Sequence, residues 1–318
     1  MDPLLDVRNL SVQYSTRRGQ INAVNDVSLT LSKGSTLGLV GESGSGKSTL
    51  GFSLLRLVPT PGRIVNGDVK FDGKSLLNQS EDVMRHVRGA EISMIFQDPM
   101  TSLNPVKRIR DHFIELYKTH DPSVSKTDAV TRSIGLLDSL GIGGDRINDF
   151  PHQFSGGMRQ RVMIGLALAL NPKIVIADEP TTALDVIVEA QIIELLKKLK
   201  TEHQLTMMLI THNIGIVAEM ADTIGVMYAG QLVEVGPTED IFDNPLHPYT
   251  KGLLESAPNI TEPEHSMKPV PGSPPDLASP PSGCKFHPRC PRVFEPCSTK
   301  EPLLTERKRR LVACHLYE

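Results

Sequence analysis

Three short apolar runs along the chain stop abruptly at polar or charged groups: TLGLV (36–40) before Gly41, KIVIA (173–177) before Asp178, and TMMLI (206–210) before Thr211 and His212. Runs of that length predict buried strands. Between them, TLGFSLLRLV (49–58) and VEAQIIELLKKLKTEH (188–203) carry apolar residues over lengths that predict helices. Strands that are apolar throughout, separated by helices, predict a parallel sheet covered on both faces, the doubly wound α/β arrangement. Ligands of such sheets sit at the C-terminal strand ends, so the three polar endings form a set expected to converge on one site. From about 98 to 158 the pattern changes to helical signals with many polar residues and no clear buried strand, which predicts an inserted helical subdomain.

Composition marks a boundary near residue 236, because 15 of the 24 prolines and all four cysteines fall in the last 82 residues. KPVPGSPPDLASPPSG (268–283) can sustain neither helix nor central strand, so 237–318 is expected to be a loop-rich extension. With a net charge of −3 and 22% charged residues, the 318-residue chain has no charge excess of a dedicated nucleic-acid binder. The best candidate for a membrane span, VMIGLALALNPKIVIADEP (162–180), is interrupted by Asn171, Pro172 and Lys173 and falls short of the roughly 20 apolar residues a bilayer demands. The start, MDPLLDVRNLSVQY, lacks the form of a secretory signal, so cytosolic residence and reduced thiols are expected. ERKRR (306–310) reads as a solvated basic face.

In GESGSGKSTL (41–50), Gly41, Gly46, Lys47 and Ser48 have the spacing of a phosphate-binding loop. Glycines let backbone N–H groups wrap an anion, the following helix N-terminus adds positive dipole, and Lys47 adds a full charge. Ser48 is of the right type to ligate Mg²⁺. Asp178 and Glu179 follow a strand, where adjacent side chains leave in different directions, so a division of labour is expected. Asp178 would hold the magnesium shell, and Glu179 would orient or deprotonate a water. His212 is a candidate γ-phosphate contact. Ser155, Gly156 and Gly157 precede a further helix and form a second anion-binding N-terminus.

GESGSGKST, Gln97 in IFQDP, FSGGMRQR, KIVIADEP, Ala183-Leu184-Asp185 and ITHN occur in the order found in ATP-binding cassette (ABC) subunits, and over roughly residues 4–236 the sequence resembles that family. The resemblance implies a P-loop NTPase (RecA-like) nucleotide-binding domain over 1–236, with a parallel sheet core, an N-terminal antiparallel β portion and the helical subdomain at about 98–158. It implies ATP hydrolysis with Mg²⁺, Glu179, His212 and Gln97 being catalytic and Ser48, Gln97 and Asp178 serving the metal. Ser43, Gly44 and Thr49 join the loop's nucleotide contacts, and Tyr14 stacks on adenine. Two cassettes would pair head to tail, so that Ser155, Gly156 and Gly157 face a γ-phosphate held by the other subunit. Gln97 would link nucleotide to a membrane partner, and Asp185 would communicate across the dimer. One departure is FSGGM where many members have LSGGQ, which places Met158 at a glutamine position.

NPLHPYTKGLLESAP (244–258) and GCKFHPRCP (283–291) resemble the C-terminal extension of the oligopeptide and dipeptide importer branch. That resemblance implies a peripheral subunit on the cytoplasmic face of the membrane, powering import of peptides, with oligosaccharides or nickel as alternatives. Its partners would be a second, homologous but different ATPase chain, two transmembrane permease subunits and, indirectly, an extracytoplasmic solute-binding protein, with no nucleic acid. A soluble cassette of DNA maintenance or translation would show long coiled-coil insertions or tandem cassettes, and neither is present. Cys284, Cys290, Cys297 and Cys314, spaced x5, x6 and x16, suit four thiolates around a metal centre or two disulfides, and a reducing compartment argues against disulfides. Tight C-x2-4-C pairs of zinc sites are absent, so an iron–sulfur cluster fits better than zinc, with unligated thiols as the remaining reading. The resemblance points to a [4Fe–4S] cluster, and a region this poor in periodic apolar residues has little core of its own, so a structural staple is expected ahead of a redox centre. His287 and His315 are expected to be surface histidines.

Overall fold

All three apolar runs form strands, each buried along its length, in the computed structural model, which describes residues 2–17, 19–256 and 270–318. The ends of two stretches singled out above, 257–258 and 268–269, lie outside the described residues. The chain divides into two units, 1–78 with 209–318, and 79–208.

The first part of the first unit comprises β1 (Leu5–Thr16), β2 (Gly19–Leu31), β3 (Thr36–Val40), α1 (Lys47–Leu54), β4 (Gly62–Phe71) and β5 (Lys74–Ser75). An antiparallel sheet in the order β2-β1-β4-β5 places β1 centrally, with Leu5, Val7, Leu10 and Val12 buried. Helix α1 is shorter than the apolar run predicts. Arg56 adopts φ 54, Leu57 N–H returns to the Phe52 carbonyl at 2.8 Å, and Arg56 N–H bonds the Ser53 carbonyl at 3.1 Å. These paired bonds satisfy the last carbonyls and end the helix four residues before the apolar pattern does.

The second unit contains α2 (Glu81–Ala90), β6 (Ile92–Ile95), α3 (Pro99–Ser102), α4 (Ile109–His120), α5 (Lys126–Ser139), α6 (Gly156–Leu168), β7 (Ile174–Asp178) and α7 (Val186–His203), and β8 (Thr206–Thr211) carries the chain across the division. β6 and β7 pair in parallel from Ile92↔Ile174 to Ile95↔Ala177. The segment expected to be helical is so, and Phe113, Tyr117, Leu137, Ile142, Ile147 and Val162 share one buried cluster there.

The chain then returns to the first unit with α8 (Ile214–Met220), β9 (Thr223–Tyr228), β10 (Gln231–Pro237), α9 (Thr238–Asp243), α10 (Pro248–Glu255), β11 (Thr305–Arg307) and β12 (Arg310–Val312). β9 runs parallel to β3, from Leu37↔Thr223 to Val40↔Val226, and antiparallel to β10. The proline-rich extension is stitched into this unit more firmly than its composition suggests. β12 adds to β10 through Glu234↔Val312 and Val235↔Leu311. Phe286 lies in an aromatic cluster with Tyr228 and Tyr249, at centroid distances of 5.2 and 5.4 Å.

ERKRR is not wholly a solvated face, because Arg310 is buried. It donates to the carbonyls of Asp240 at 2.8 Å and Asn244 at 2.6 Å, and lies 3.6 Å from the fully buried Glu234 carboxylate. Glu234 also accepts the N–H groups of Leu246 and His247, both at 2.9 Å, which pins the approach to α10. A buried carboxylate needs both a counter-charge and hydrogen bonds, and Glu234 has both.

His247 caps α10, its Nδ1 accepting the Tyr249 N–H at 3.0 Å, and burial pushes its pKa down to about 3. Because the unfolded chain takes up the proton first, this stability is complete above the ordinary histidine pKa of about 6.5 and declines as pH falls towards about 3, by about 1.4 kcal/mol per pH unit. His247→Asn keeps a capping acceptor without the titration, so urea unfolding between pH 4 and 6 should show a shallower acid dependence than wild type; an unchanged slope would contradict the assignment.

Candidate functional site

The phosphate loop lies in the first unit, between the end of β3 at Val40 and the start of α1 at Lys47. Gly46 occupies the N-cap with φ 101 and has no side chain to cap the helix. A Cβ there would also run into the Ala23 carbonyl. The first-turn N–H groups of α1, with the helix dipole behind them, are therefore not claimed by an N-cap side chain. Lys47 is buried, and its Nζ donates to the carbonyls of Gly41 at 2.8 Å and Glu42 at 2.9 Å, along the inner line of the loop. Ser45 N–H bonds the Glu42 carbonyl at 3.2 Å, and the Ser45 carbonyl accepts from Gly230 N–H at 2.9 Å, which ties the loop to the β9–β10 turn. Ser43 and Gly44 are exposed, and Ser48 and Thr49 are half-buried on α1.

Two further expected residues belong to this unit. Tyr14 is half-buried on β1, opposite Ile21 and Gly62, and its ring lies 2.6 Å from where a Cβ on Gly62 would stand. His212 follows β8 and is exposed.

Asp178, Glu179, Gln97, Ser155, Gly156, Gly157 and Asp185 belong to the second unit. Asp178 is buried at the end of β7. Glu179 lies beyond the strand with φ 47, so a left-handed turn, not strand alternation, sets its direction. Its Oε2 accepts from Thr182 Oγ1 at 2.6 Å and from Gln97 Nε2 at 3.3 Å. The structure thus brings Gln97 and Glu179 together. Thr182 was missed by the sequence reasoning, although a hydroxyl three residues past the acid in EPTT is a turn signal that could have raised it.

Ser155 caps α6, accepting the Met158 N–H at 3.3 Å, and Asp185 caps α7, accepting the Val188 N–H at 2.9 Å. A Cβ on Gly157 would overlap Val188, so glycine there lets the start of α6 close against the first turn of α7. Met158 Sδ lies 3.3 Å from Arg146 Nη1. Next to Asp185, Val186 and Ile187 are 82% and 73% exposed, an apolar pair held outward at a helix start.

All four cysteines are free thiols. Burial first, then the neighbouring cysteines, pushes Cys284 up to about 11, and burial also raises Cys290 and Cys314. Among the described residues no group of three or more His, Cys, Asp or Glu side chains is placed to hold a metal ion, so the expected iron–sulfur cluster has no assembled site here. The expectation of a surface His315 is corrected: it is buried, with Nδ1 2.7 Å from Glu318 Oε2 and Nε2 2.7 Å from the Lys300 carbonyl. Both ring nitrogens are thereby engaged by oxygens. His287 is half-buried, its Nδ1 3.0 Å from the Cys284 carbonyl.

The family model described as ABC transporter matches residues 24–182, and one described as oligopeptide/dipeptide transporter, C-terminal region, matches 233–297. The chain is 47% identical over 313 residues to the oligopeptide transport ATP-binding protein OppD of Salmonella typhimurium, covering 98% of this chain and 93% of that one. It is 46% identical over 305 residues to the dipeptide transport ATP-binding protein DppD of Bacillus subtilis, covering 95% and 91%. Among solved structures, it resembles the dimeric ATP-binding cassette MJ0796 in a post-hydrolysis state bound to ADP and Pi, with a TM-score of 0.64 and 28% identity over 74% of this chain and 98% of that one.

Two glycines of the loop separate the roles of conformation and space. Gly44, with φ 77 and nothing within 4 Å of a Cβ, should lose about 1 kcal/mol on replacement by alanine. Gly46→Ala must also displace the Ala23 backbone, so its urea midpoint should fall further; equal losses would show that the loop yields freely at Gly46.

Proposed function

The chain belongs to the ABC transporter family of ATP-binding cassettes, and on that premise we propose that it powers import of di- and oligopeptides through separate membrane-spanning subunits. It is an ATPase. The observation that carries the peptide reading is the match of residues 233–297 to the C-terminal region of oligopeptide and dipeptide transporters, alongside relatives of that function aligned over nearly the whole chain. No described helix is long and apolar enough to cross a membrane, and we assign the span to two permease subunits, with this chain peripheral on the cytoplasmic face.

Catalysis in this reading starts from the loop. Backbone N–H groups at the start of α1 and the Lys47 ammonium bind the phosphates, with Gly41, Ser43, Gly44, Gly46 and Thr49 around them and Tyr14 against adenine. The Ser48 hydroxyl and the buried Asp178 carboxylate are oxygen donors of the kind Mg²⁺ takes. Bound there, the ion would neutralise charge developing on the phosphates. Glu179, held by Thr182 and Gln97, orients the attacking water and accepts its proton, while His212 contacts the γ-phosphate. Ser155, Gly156 and Gly157 serve the γ-phosphate held by a second cassette, and Asp185 with the exposed Val186 and Ile187 forms part of that contact. The second cassette is a homologous ATPase chain in this reading, and ATP closes the pair while hydrolysis reopens it.

For the cysteines we propose an iron–sulfur cluster that would draw together four free thiols of one sequence segment, which the structure does not show as a metal-binding group, since an all-thiol donor set suits that chemistry. Anaerobically purified protein should contain iron that is lost in Cys290→Ser, together with resistance of the extension to protease. Equal iron in both proteins, or none in either, would remove this assignment.

Glu179→Gln in the assembled transporter should retain MgATP and lose at least about a hundred-fold in turnover, as expected for loss of a general base, whereas Lys47→Ala should lose nucleotide retention. Hydrolysis at wild-type rate by Glu179→Gln would remove its catalytic role.

A further inference from the structure

Glu42, the residue that follows Gly41 in the phosphate loop, has each of its polar groups engaged. Its N–H donates to Tyr249 Oη at 2.9 Å. Its carbonyl accepts from Lys47 Nζ at 2.9 Å and Ser45 N–H at 3.2 Å. Its carboxylate takes two parallel bonds from Arg289, Nη1 to Oε2 at 2.7 Å and Nη2 to Oε1 at 2.9 Å. Both side chains that reach in come from beyond residue 236, and one of them is 247 positions away in sequence.

Arg289 is itself fixed. Its Nε donates to the Pro271 carbonyl at 2.7 Å and its Nη1 to Tyr228 Oη at 3.2 Å, and its side chain is 6% exposed. It rides on a 3₁₀ turn, His287–Arg289, between Cys284 and Cys290, and Phe286 at the head of that turn is buried against Tyr228 and Tyr249. Tyr249 is buried in the first turn of α10. A planar guanidinium bridging a carboxylate through two bonds fixes orientation as well as distance, which a lysine would not do.

Two physical consequences follow for a loop that takes a polyanion. Glu42 carries one of the two carbonyls that orient the Lys47 amine, and its N–H shares a peptide unit with the other, that of Gly41, so holding Glu42 at both its N–H and its side chain holds the amine. A carboxylate beside a triphosphate repels it, and Arg289 cancels that charge at contact distance. We propose that Arg289 and Tyr249 are positioning residues of the nucleotide site, through which the cysteine-bearing extension sets the affinity of the phosphate loop for nucleoside triphosphate. This rests on the loop's being the nucleotide site. The coupling is reciprocal, so triphosphate bound in the loop also steadies the extension.

The test is equilibrium binding of a fluorescent ATP analogue with Mg²⁺ to the full chain, with KM and kcat for ATP in the assembled transporter. Arg289→Ala should bind about ten-fold more weakly, in the range of ordinary site-to-site coupling. Arg289→Lys, which keeps charge without the two-bond fork, should fall between it and wild type. Adding Glu42→Gln to Arg289→Ala should recover part of the loss, because the uncompensated carboxylate is gone. Tyr249→Phe, a variant that keeps the aromatic packing, should weaken binding in the same direction and carries the test should Arg289→Ala fail to fold. KM should rise more than kcat falls. Wild-type affinity in Arg289→Ala or Tyr249→Phe, or losses in kcat at unchanged KM, would overturn the proposal alone, provided Lys47→Ala is defective in binding. Wild-type binding by Lys47→Ala would remove both this proposal and the reading of the loop.

Discussion

The bonds from Lys47 Nζ to the Gly41 and Glu42 carbonyls fix an ammonium along the inside of the loop, and much of the first unit keeps those carbonyls in place. The buried strand β3 delivers the loop from its C-terminal end, and its parallel neighbour β9 leads to the turn whose Gly230 N–H holds the Ser45 carbonyl. Gly46 lets the chain enter α1 through a left-handed conformation against the Ala23 backbone. These contacts pre-set the direction of the loop's backbone dipoles, the preorganisation that the proposed phosphate binding calls for.

The second unit solves a different problem, the presentation of two carboxylates and two helix starts. Burial separates the surroundings of the acids: Asp178 ends a buried strand, whereas Glu179 turns out of it and is steadied by Thr182 and Gln97. Ser155 and Asp185 each cap the helix they begin, and Gly157 lets those two starts approach. The same residues that stabilise the helices therefore also set how closely the two helix starts approach.

Much of this was legible in the sequence because it depends on local rules. Apolar runs made β3, β7 and β8 recognisable, and glycine spacing around Lys47 announced the loop. What remained hidden depends on tertiary contacts. Arg310 reads as one more residue of a basic run, yet it is drawn inside by Glu234 and two helix-end carbonyls. His315 is engaged at both nitrogens by Glu318 and the Lys300 carbonyl. The left-handed Glu179 and the early stop of α1 at Leu54 follow from turn geometry that apolar periodicity does not encode. The Glu42–Arg289 bridge joins residues that no pattern in the linear sequence relates.

Hydrogen exchange of the full chain with and without MgATP tests the phosphate loop most directly. Amides of residues 43–49 should become strongly protected when nucleotide is added, and those of His287 and Arg289 should slow with them through Glu42. Unchanged exchange across 43–49 at saturating MgATP would mean that the triphosphate binds elsewhere.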